Sequence, residues 1–219
     1  MIVELVDPSH YNAFTYALVS DLADAVSCIG MTSHVRALAI QSAGPHFCVG
    51  GSPFERHVFT RLDIFSVGVL KMAQATCCLR SLEVSAAIHG HLVGGGIALA
   101  LNTDYLVAER STTFEHGNLP RGVCPVAEFS QRLIGRTGTT ASAFHLSNAV
   151  LRACNALQLG LVQAVVQGVR RTQQQAWHLA SSSSTLSVQQ IQLASEPVLA
   201  CEAVSHSECQ CLVGGEAKA

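Results

Sequence analysis

The stretch that most restricts this chain is residues 88–100, I-H-G-H-L-V-G-G-G-I-A-L-A. An apolar run at 84–88 leads into it and a small-residue run at 94–101 leads out, so three consecutive glycines stand where a strand hands over to a helix. Gly94, Gly95 and Gly96 carry no side chain to keep a ligand away from the backbone, and a helix that begins there exposes N–H groups with no intrahelical acceptor. Such a turn suits an anion or a developing oxyanion. The same glycines also serve a second purpose, letting the following helix pack close against a sheet, and the spacing alone leaves both readings open.

The rest of the chain reads as alternating strands and helices. Residues 2–6 form a short apolar strand, and Asp7-Pro8-Ser9 a turn. Asn12 is placed to cap a helix over 13–29, because Phe14, Leu18, Leu22, Ala25 and Ile29 recur at helical spacing and Gly30 supplies the stop. Residues 35–40 are apolar without alternation, as in a strand covered on both faces of a parallel sheet. The segment 42–53, S-A-G-P-H-F-C-V-G-G-S-P, is turn chemistry apart from Phe47, Cys48 and Val49. It leaves the carboxyl end of a predicted strand, where open α/β sheets bind ligands, so Gly50 and Gly51 are a second set of candidate backbone donors.

Leu62, Phe65, Val69, Met72 and Leu79 point to a helix, followed by a strand over 84–88, a helix over 94–101 and a strand over 105–108. Residues 111–125 hold two prolines and two glycines and cannot be one helix; a loop this long usually has a function. Short helices over 127–133 and 139–146 flank a turn at 135–138, a helix over 154–159 stops at Gly160, and 161–166 is extended. After Gly168 the composition shifts to Gln, Ser and Ala. The expected organisation is one core domain over 1–168 and a helical or partly disordered extension over 169–219.

A chain of 219 residues with 49% hydrophobic and 13% charged residues is long enough for a sizeable core, and a net charge of −2 gives no electrostatic footprint for nucleic acid. Nine cysteines, odd in number and irregularly spaced, with Cys77 and Cys78 adjacent, fit thiols in a reducing compartment. The N-terminus has neither the basic region nor the apolar core of a secretory signal, and no apolar run reaches membrane-spanning length, so the expected location is the cytoplasm or an organelle matrix. Cys201, His206, Cys209 and Cys211 stand at C-x4-H-x2-C-x-C, which is not a usual structural zinc spacing, and no metal is expected.

Several segments in this order resemble one family. Asp7-Pro8 with Asn12-Ala13-Phe14 is similar to its opening turn and helix, 35–40 with Phe47-Cys48-Val49-Gly50-Gly51 to its first oxyanion segment, and His89-Gly90 through Gly96 to its second. Asp104 in 102–108, Phe114, Gly122-Val123-Cys124-Pro125, Gln131-Arg132-Leu133 with Gly135, and Leu159-Gly160-Leu161-Val162 complete the series. The chain thereby resembles the crotonase family, also called the enoyl-CoA hydratase/isomerase superfamily, over residues 2–168. The wording at 116–122, H-G-N-L-P-R-G, is most similar to crotonase-like domains associated with polyketide synthases.

The resemblance implies an α/β fold, a spiral of ββα units with a mostly parallel sheet, here with a truncated or atypical C-terminal helical region. It implies a thioester site in which the N–H groups of Gly51 and Gly95, flanked by Gly50 and Gly94, bind the carbonyl of acyl-CoA or of an acyl chain on a carrier protein. No cofactor is implied beyond the CoA or phosphopantetheine of the substrate, and the implied assembly is a homotrimer or hexamer.

The pattern also breaks. Family hydratases use two glutamates, and the matching positions here are Ala98 and Asn118. Alanine has no acid/base chemistry, and a neutral amide orients groups but takes no proton near pH 7. Chemistry other than hydration is implied, such as decarboxylation or isomerisation, although family isomerases keep the second glutamate and Asn118 counts against that reaction. The alternative is a binding or scaffolding protein on the same fold. His116, Glu115 and Glu128 are candidate replacement groups; His116 reads equally as a surface loop histidine and Glu128 as a solvent-facing helix carboxylate. His89 and His91 read as structural, hydrogen-bonding loop backbone, and Cys48 as a packed small side chain.

Overall fold

The computed structural model describes residues 1–32, 34–52, 71 and 82–183. In chain order its elements are β1 (Ile2–Leu5), α1 (Tyr16–Gly30), β2 (Ala37–Ser42), β3 (Glu83–Ile88), β4 (His91–Val93), α2 (Gly95–Leu101), β5 (Tyr105–Glu109), β6 (Thr113–Glu115), α3 (Phe129–Thr137), α4 (Thr140–Ser147), β7 (Leu151–Arg152), α5 (Ala153–Gln158), β8 (Ala164–Val166) and α6 (Val169–Ser183). A five-stranded sheet has the order β1-β2-β3-β5-β8, parallel throughout, and a smaller sheet has the order β4-β6-β7. The segment at Cys48 bridges to Leu92, so the loop after β2 joins the edge of the smaller sheet. The expected α/β fold with a mostly parallel sheet is present.

A parallel strand buried on both faces has no polar side to show, which is why 37–40 and 84–88 read as unbroken small and apolar runs. Helix α1 buries Val19, Leu22, Ala23, Val26 and Ile29. On β2, β3 and β5 packs α6, drawn close by the fully buried Ala176 and Ala180 and by a bond from Ser85 Oγ to the Ala176 carbonyl at 2.6 Å. The polar composition after Gly168 belongs to a helix whose Thr172, Ala176, Leu179 and Ala180 face the sheet.

Two helix starts differ from the sequence reading, one delayed by an extended Phe14 and the other by left-handed backbone. Helix α1 begins at Tyr16, where Thr15 Oγ1 accepts the Leu18 N–H at 3.1 Å. Asn12 does not cap it: Asn12 has φ 53°, is fully buried, donates to the Ala43 and His46 carbonyls at 2.8 Å each, and accepts the Asp7 N–H at 2.7 Å. Phe14 falls into the helical spacing by coincidence. Helix α3 begins at Phe129 because Ala127 and Glu128 have φ 56° and 57°, and it runs through Gly135 to turn at Gly138. The loop 111–125 contains β6 and a short 3-10 turn, Leu119–Arg121. The helix read from Leu62 to Leu79 and the Cys201–Cys211 cluster lie outside the described residues.

Candidate active site

The two glycine segments lie side by side. A β-bridge joins Phe14 to Gly51, and Phe14 makes both of its bonds, donating to Gly50 C=O at 2.7 Å and accepting Ser52 N–H at 3.1 Å. Gly51 therefore turns its own N–H to the other side of the strand, and among the described residues nothing accepts it. At the second segment Gly94 N–H donates to the Glu115 carbonyl at 3.1 Å and its own carbonyl takes the Ala98 N–H at 3.0 Å. Gly95 opens α2, so its N–H has no acceptor within the helix.

The contact between the segments is backbone on backbone. A Cβ on Gly50 would lie 2.5 Å from the Val93 carbonyl oxygen and 3.4 Å from Gly95 N, and one on Gly96 would lie 2.2 Å from the Cys48 carbonyl oxygen. The two readings of the triple glycine divide by residue. Gly96 is there for close packing, whereas Gly95 brings a donor with no acceptor among the described residues to the same place as Gly51. The Phe14 ring, 3.0 Å from where a Gly95 Cβ would be, forms one wall. Its spacing from Leu18 matches a helix, so the sequence pattern gives no sign of this role for Phe14.

The side chains around this backbone differ from expectation. Asn118 is buried beside Gly94, its Oδ1 3.0 Å from the position of a Gly94 Cβ. Ala98 is buried in α2. Behind the site, the loop carrying Asn118 is held through Gly117, whose N–H donates to Asn148 Oδ1 and whose carbonyl accepts Arg121 Nη1, both at 2.7 Å. The Glu115 carboxylate accepts from Asn148 Nδ2 at 3.2 Å and Arg121 Nη1 at 3.4 Å.

His116 is not a surface loop histidine. Two residues on from Phe114, its ring turns into the core, stacked on Phe129 at 4.5 Å between centroids and edge-on to Phe144 at 5.8 Å, with a His145 Nδ1 contact at 3.2 Å. Burial, with His145 adding repulsion, pushes its imidazole down to about 4 and keeps it neutral at pH 7. Only its carbonyl, 3.5 Å from the Gly94 Cβ position, faces the glycines. The alternation of Phe114 and His116 along an extended segment was the signal for this.

Glu128 does not face solvent freely: it caps α3 with left-handed backbone and pairs with Arg132 at 3.2 Å, both side chains largely buried. Cys48 is fully buried and burial pushes its thiol up to about 12, so it stays protonated and is no nucleophile. His89 bonds the Gly44 carbonyl through Nε2 at 2.9 Å, and His91 meets Thr113 Oγ1 through Nδ1. The His89 ring thus bonds loop backbone, whereas the His91 ring bonds a side chain. Among the described residues no three His, Cys, Asp or Glu side chains are placed to hold a metal ion, and no helix is long and apolar enough to cross a membrane.

The family model described as enoyl-CoA hydratase/isomerase matches residues 1–200. The chain belongs to the enoyl-CoA hydratase/isomerase family. It is 27% identical over 198 residues to a probable mitochondrial enoyl-CoA hydratase of Dictyostelium discoideum, covering 90% of this chain and 71% of that protein. To a (7aS)-7a-methyl-1,5-dioxo-2,3,5,6,7,7a-hexahydro-1H-indene-carboxyl-CoA hydrolase of Mycobacterium tuberculosis it is 33% identical over 138 residues, 61% of this chain and 55% of that protein. The chain thus spans between about half and three quarters of the curated relatives it matches.

Solved structures agree on the fold. An enoyl-CoA hydratase from Bacillus anthracis superposes with a TM-score of 0.83 at 23% identity, over 95% of this chain and 82% of that one. A Thermobifida fusca structure of the enoyl-CoA hydratase/isomerase family, determined in complex with acetoacetyl-CoA, superposes with a TM-score of 0.80 at 22% identity, over 95% of this chain and 86% of that one. Beside the paired glycines this chain carries Ala98, Asn118 and, behind the loop, a buried neutral His116.

Proposed function

We propose that this protein binds an acyl thioester, on CoA or on a carrier-protein phosphopantetheine, and stabilises the enolate of its acyl group through the N–H groups of Gly51 and Gly95. The observation that carries the reading is the pair of amides, without an acceptor among the described residues, brought together by backbone contact between the two glycine segments. As an enolate forms, charge moves onto the thioester oxygen, and each fixed donor in a dry site is worth on the order of 10² to 10³ in rate. A related structure holding acetoacetyl-CoA supports a CoA thioester as the ligand class.

The chemistry proposed is decarboxylation, the reaction that asks least of side chains. Loss of carbon dioxide leaves the electron pair on the α-carbon, so the enolate needs donors but no base. Ala98 and Asn118 offer no proton acceptor, Glu128 is engaged by Arg132, and a His116 ring with a value near 4 is a weak base buried behind the loop. The absence of an acid/base pair also favours a second reading, a protein that binds thioesters without turning them over. Incubation with malonyl, methylmalonyl and glutaconyl thioesters, as CoA and as carrier-protein forms, followed by mass spectrometry, separates the two. Release of carbon dioxide from one of them supports the enzyme; tight binding with no product supports the binding protein. Hydration of crotonyl-CoA at several turnovers per second or faster would overturn both.

A further inference from the structure

The loop between β2 and Gly50 reaches the donor position only by lying across the turn between β3 and β4, and it is fastened there at four points. Phe47 N–H donates to the His89 carbonyl and His89 Nε2 to the Gly44 carbonyl, each at 2.9 Å. His91 N–H donates to His46 Nδ1 at 3.1 Å, and Asn12 Nδ2 to the His46 carbonyl at 2.8 Å. There is no slack, because Gly90 lies so close that a Cβ on it would sit 2.1 Å from the Pro45 carbonyl oxygen and 2.5 Å from His46 Nδ1.

Two of these fastenings dictate the protonation of the rings that make them. A carbonyl only accepts, so His89 carries its proton on Nε2. Its Nδ1 is buried and, among the described residues, has no partner to receive a second N–H. At His46 the opposite holds: a backbone N–H points at Nδ1, so that nitrogen must be bare, and protonating it sets donor against donor.

The groups facing His46 are the Tyr11 ring at 5.1 Å from the turn before α1, the His91 ring at 5.1 Å from β4, and His89 from the end of β3; Thr113 of β6 meets the far side of His91. None is a carboxylate. Burial lowers His46 below the usual imidazole range, and His91 and His89 lower it further.

We infer that His46 is a positioning residue that holds the Gly51 segment against the Gly95 segment only while its ring is neutral, so that acid loosens the loop and with it the donor pair. Loss of the His46 fastening loosens the chain just before Gly50, and a displacement of about 1 Å at a reacting centre is enough to remove on the order of a hundredfold in rate. The functional half of this inference rests on the proposed thioester site; the structural half does not.

Hydrogen exchange of the ligand-free protein tests the structural half. The protection factor of the Phe47 amide, corrected for intrinsic exchange, is expected to fall by about tenfold or more between about pH 7.5 and about pH 5 in the wild type. The double variant His46→Asn with His89→Gln keeps an acceptor at the first position and a donor at the second without titrating, and its protection should change by less than about twofold over the same range. His46→Leu should lose protection at both pH values. If His46→Leu does not fold, the wild type against the double variant still decides. An equal fall in both, or none in the wild type, overturns the inference. In a second arm, acetoacetyl-CoA affinity of the wild type should fall about tenfold with the same acidification and that of the double variant stay level. If the compound does not bind at pH 7.5, the proposed function fails, while the exchange result still decides the clamp.

Discussion

The candidate site has two halves that have fared differently. Its backbone half is fixed by contacts at Gly50 and Gly96 that admit no Cβ, whereas its side-chain half offers Ala98 and Asn118, neither of which takes a proton near pH 7. The difference follows from what each half is for. Contacts at Gly50 and Gly96 hold the two segments together, so a side chain at either breaks the fold before it changes the chemistry, whereas Gly51 has open space beside it. A carboxylate lining a pocket supports nothing else, and it can be exchanged for alanine or asparagine with the scaffold left standing.

The largest test of this contrast is Gly96→Val. Its Cβ would sit 2.2 Å from a backbone oxygen of Cys48, which cannot swing aside, and a loss of about 4 kcal/mol or more is expected, read by urea unfolding. Gly51→Ala, with nothing within 4 Å of its Cβ and no left-handed φ, should stay within about 0.5 kcal/mol of wild type. Equal stability of the two variants would break the distinction between packing and donor glycines.

Next in size is the acid response of His116. Its value of about 4 in the fold lies below the ordinary 6.5, so the ring is neutral in the folded protein at pH 7 and its stabilising effect is intact above about 6.5. Between about 6.5 and about 4 the unfolded chain takes up a proton that the fold refuses, and stability should fall by roughly 3 kcal/mol. His116→Gln should flatten that part of the pH–stability curve; an unchanged curve would mean the ring is not confined by its aromatic neighbours.

Gly51→Pro sharpens the donor assignment. It removes an N–H that bonds nothing within the described protein, so thioester turnover or affinity should drop about a hundredfold with the circular dichroism spectrum native, while Gly51→Ala, which keeps the N–H, retains function. The smallest effect is expected at Ala127→Gly. Relieving a left-handed alanine at φ 56° should raise stability by about 1 kcal/mol, measurable as a higher Tm.

The parallel sheet and the two glycine sites were legible because strands covered on both faces leave long apolar runs and because glycine is needed wherever backbones touch. The places that were not legible share one cause, a local signal with two uses. Asn12 has the composition of a helix cap but spends its amide on the Ala43 and His46 carbonyls of a loop it meets only in the fold. Phe14 sits at a helical interval from Leu18 yet is extended and bridged to Gly51. His116 reads as a loop histidine until Phe129 and Phe144 arrive from helices further along the chain. The serine- and glutamine-rich composition after Gly168 leaves helix and disorder both open, and what it does not show is the packing of α6, seated through Thr172, Ala176, Leu179 and Ala180.

That seating has a consequence for synthesis. The bond from Ser85 to Ala176 joins residues 91 positions apart, so β3 leaves the ribosome long before the helix that covers it exists. At ordinary elongation rates the interval is about 5 to 20 seconds. During that time one face of the central strands is apolar, uncovered and in the reach of every other nascent chain in the polysome.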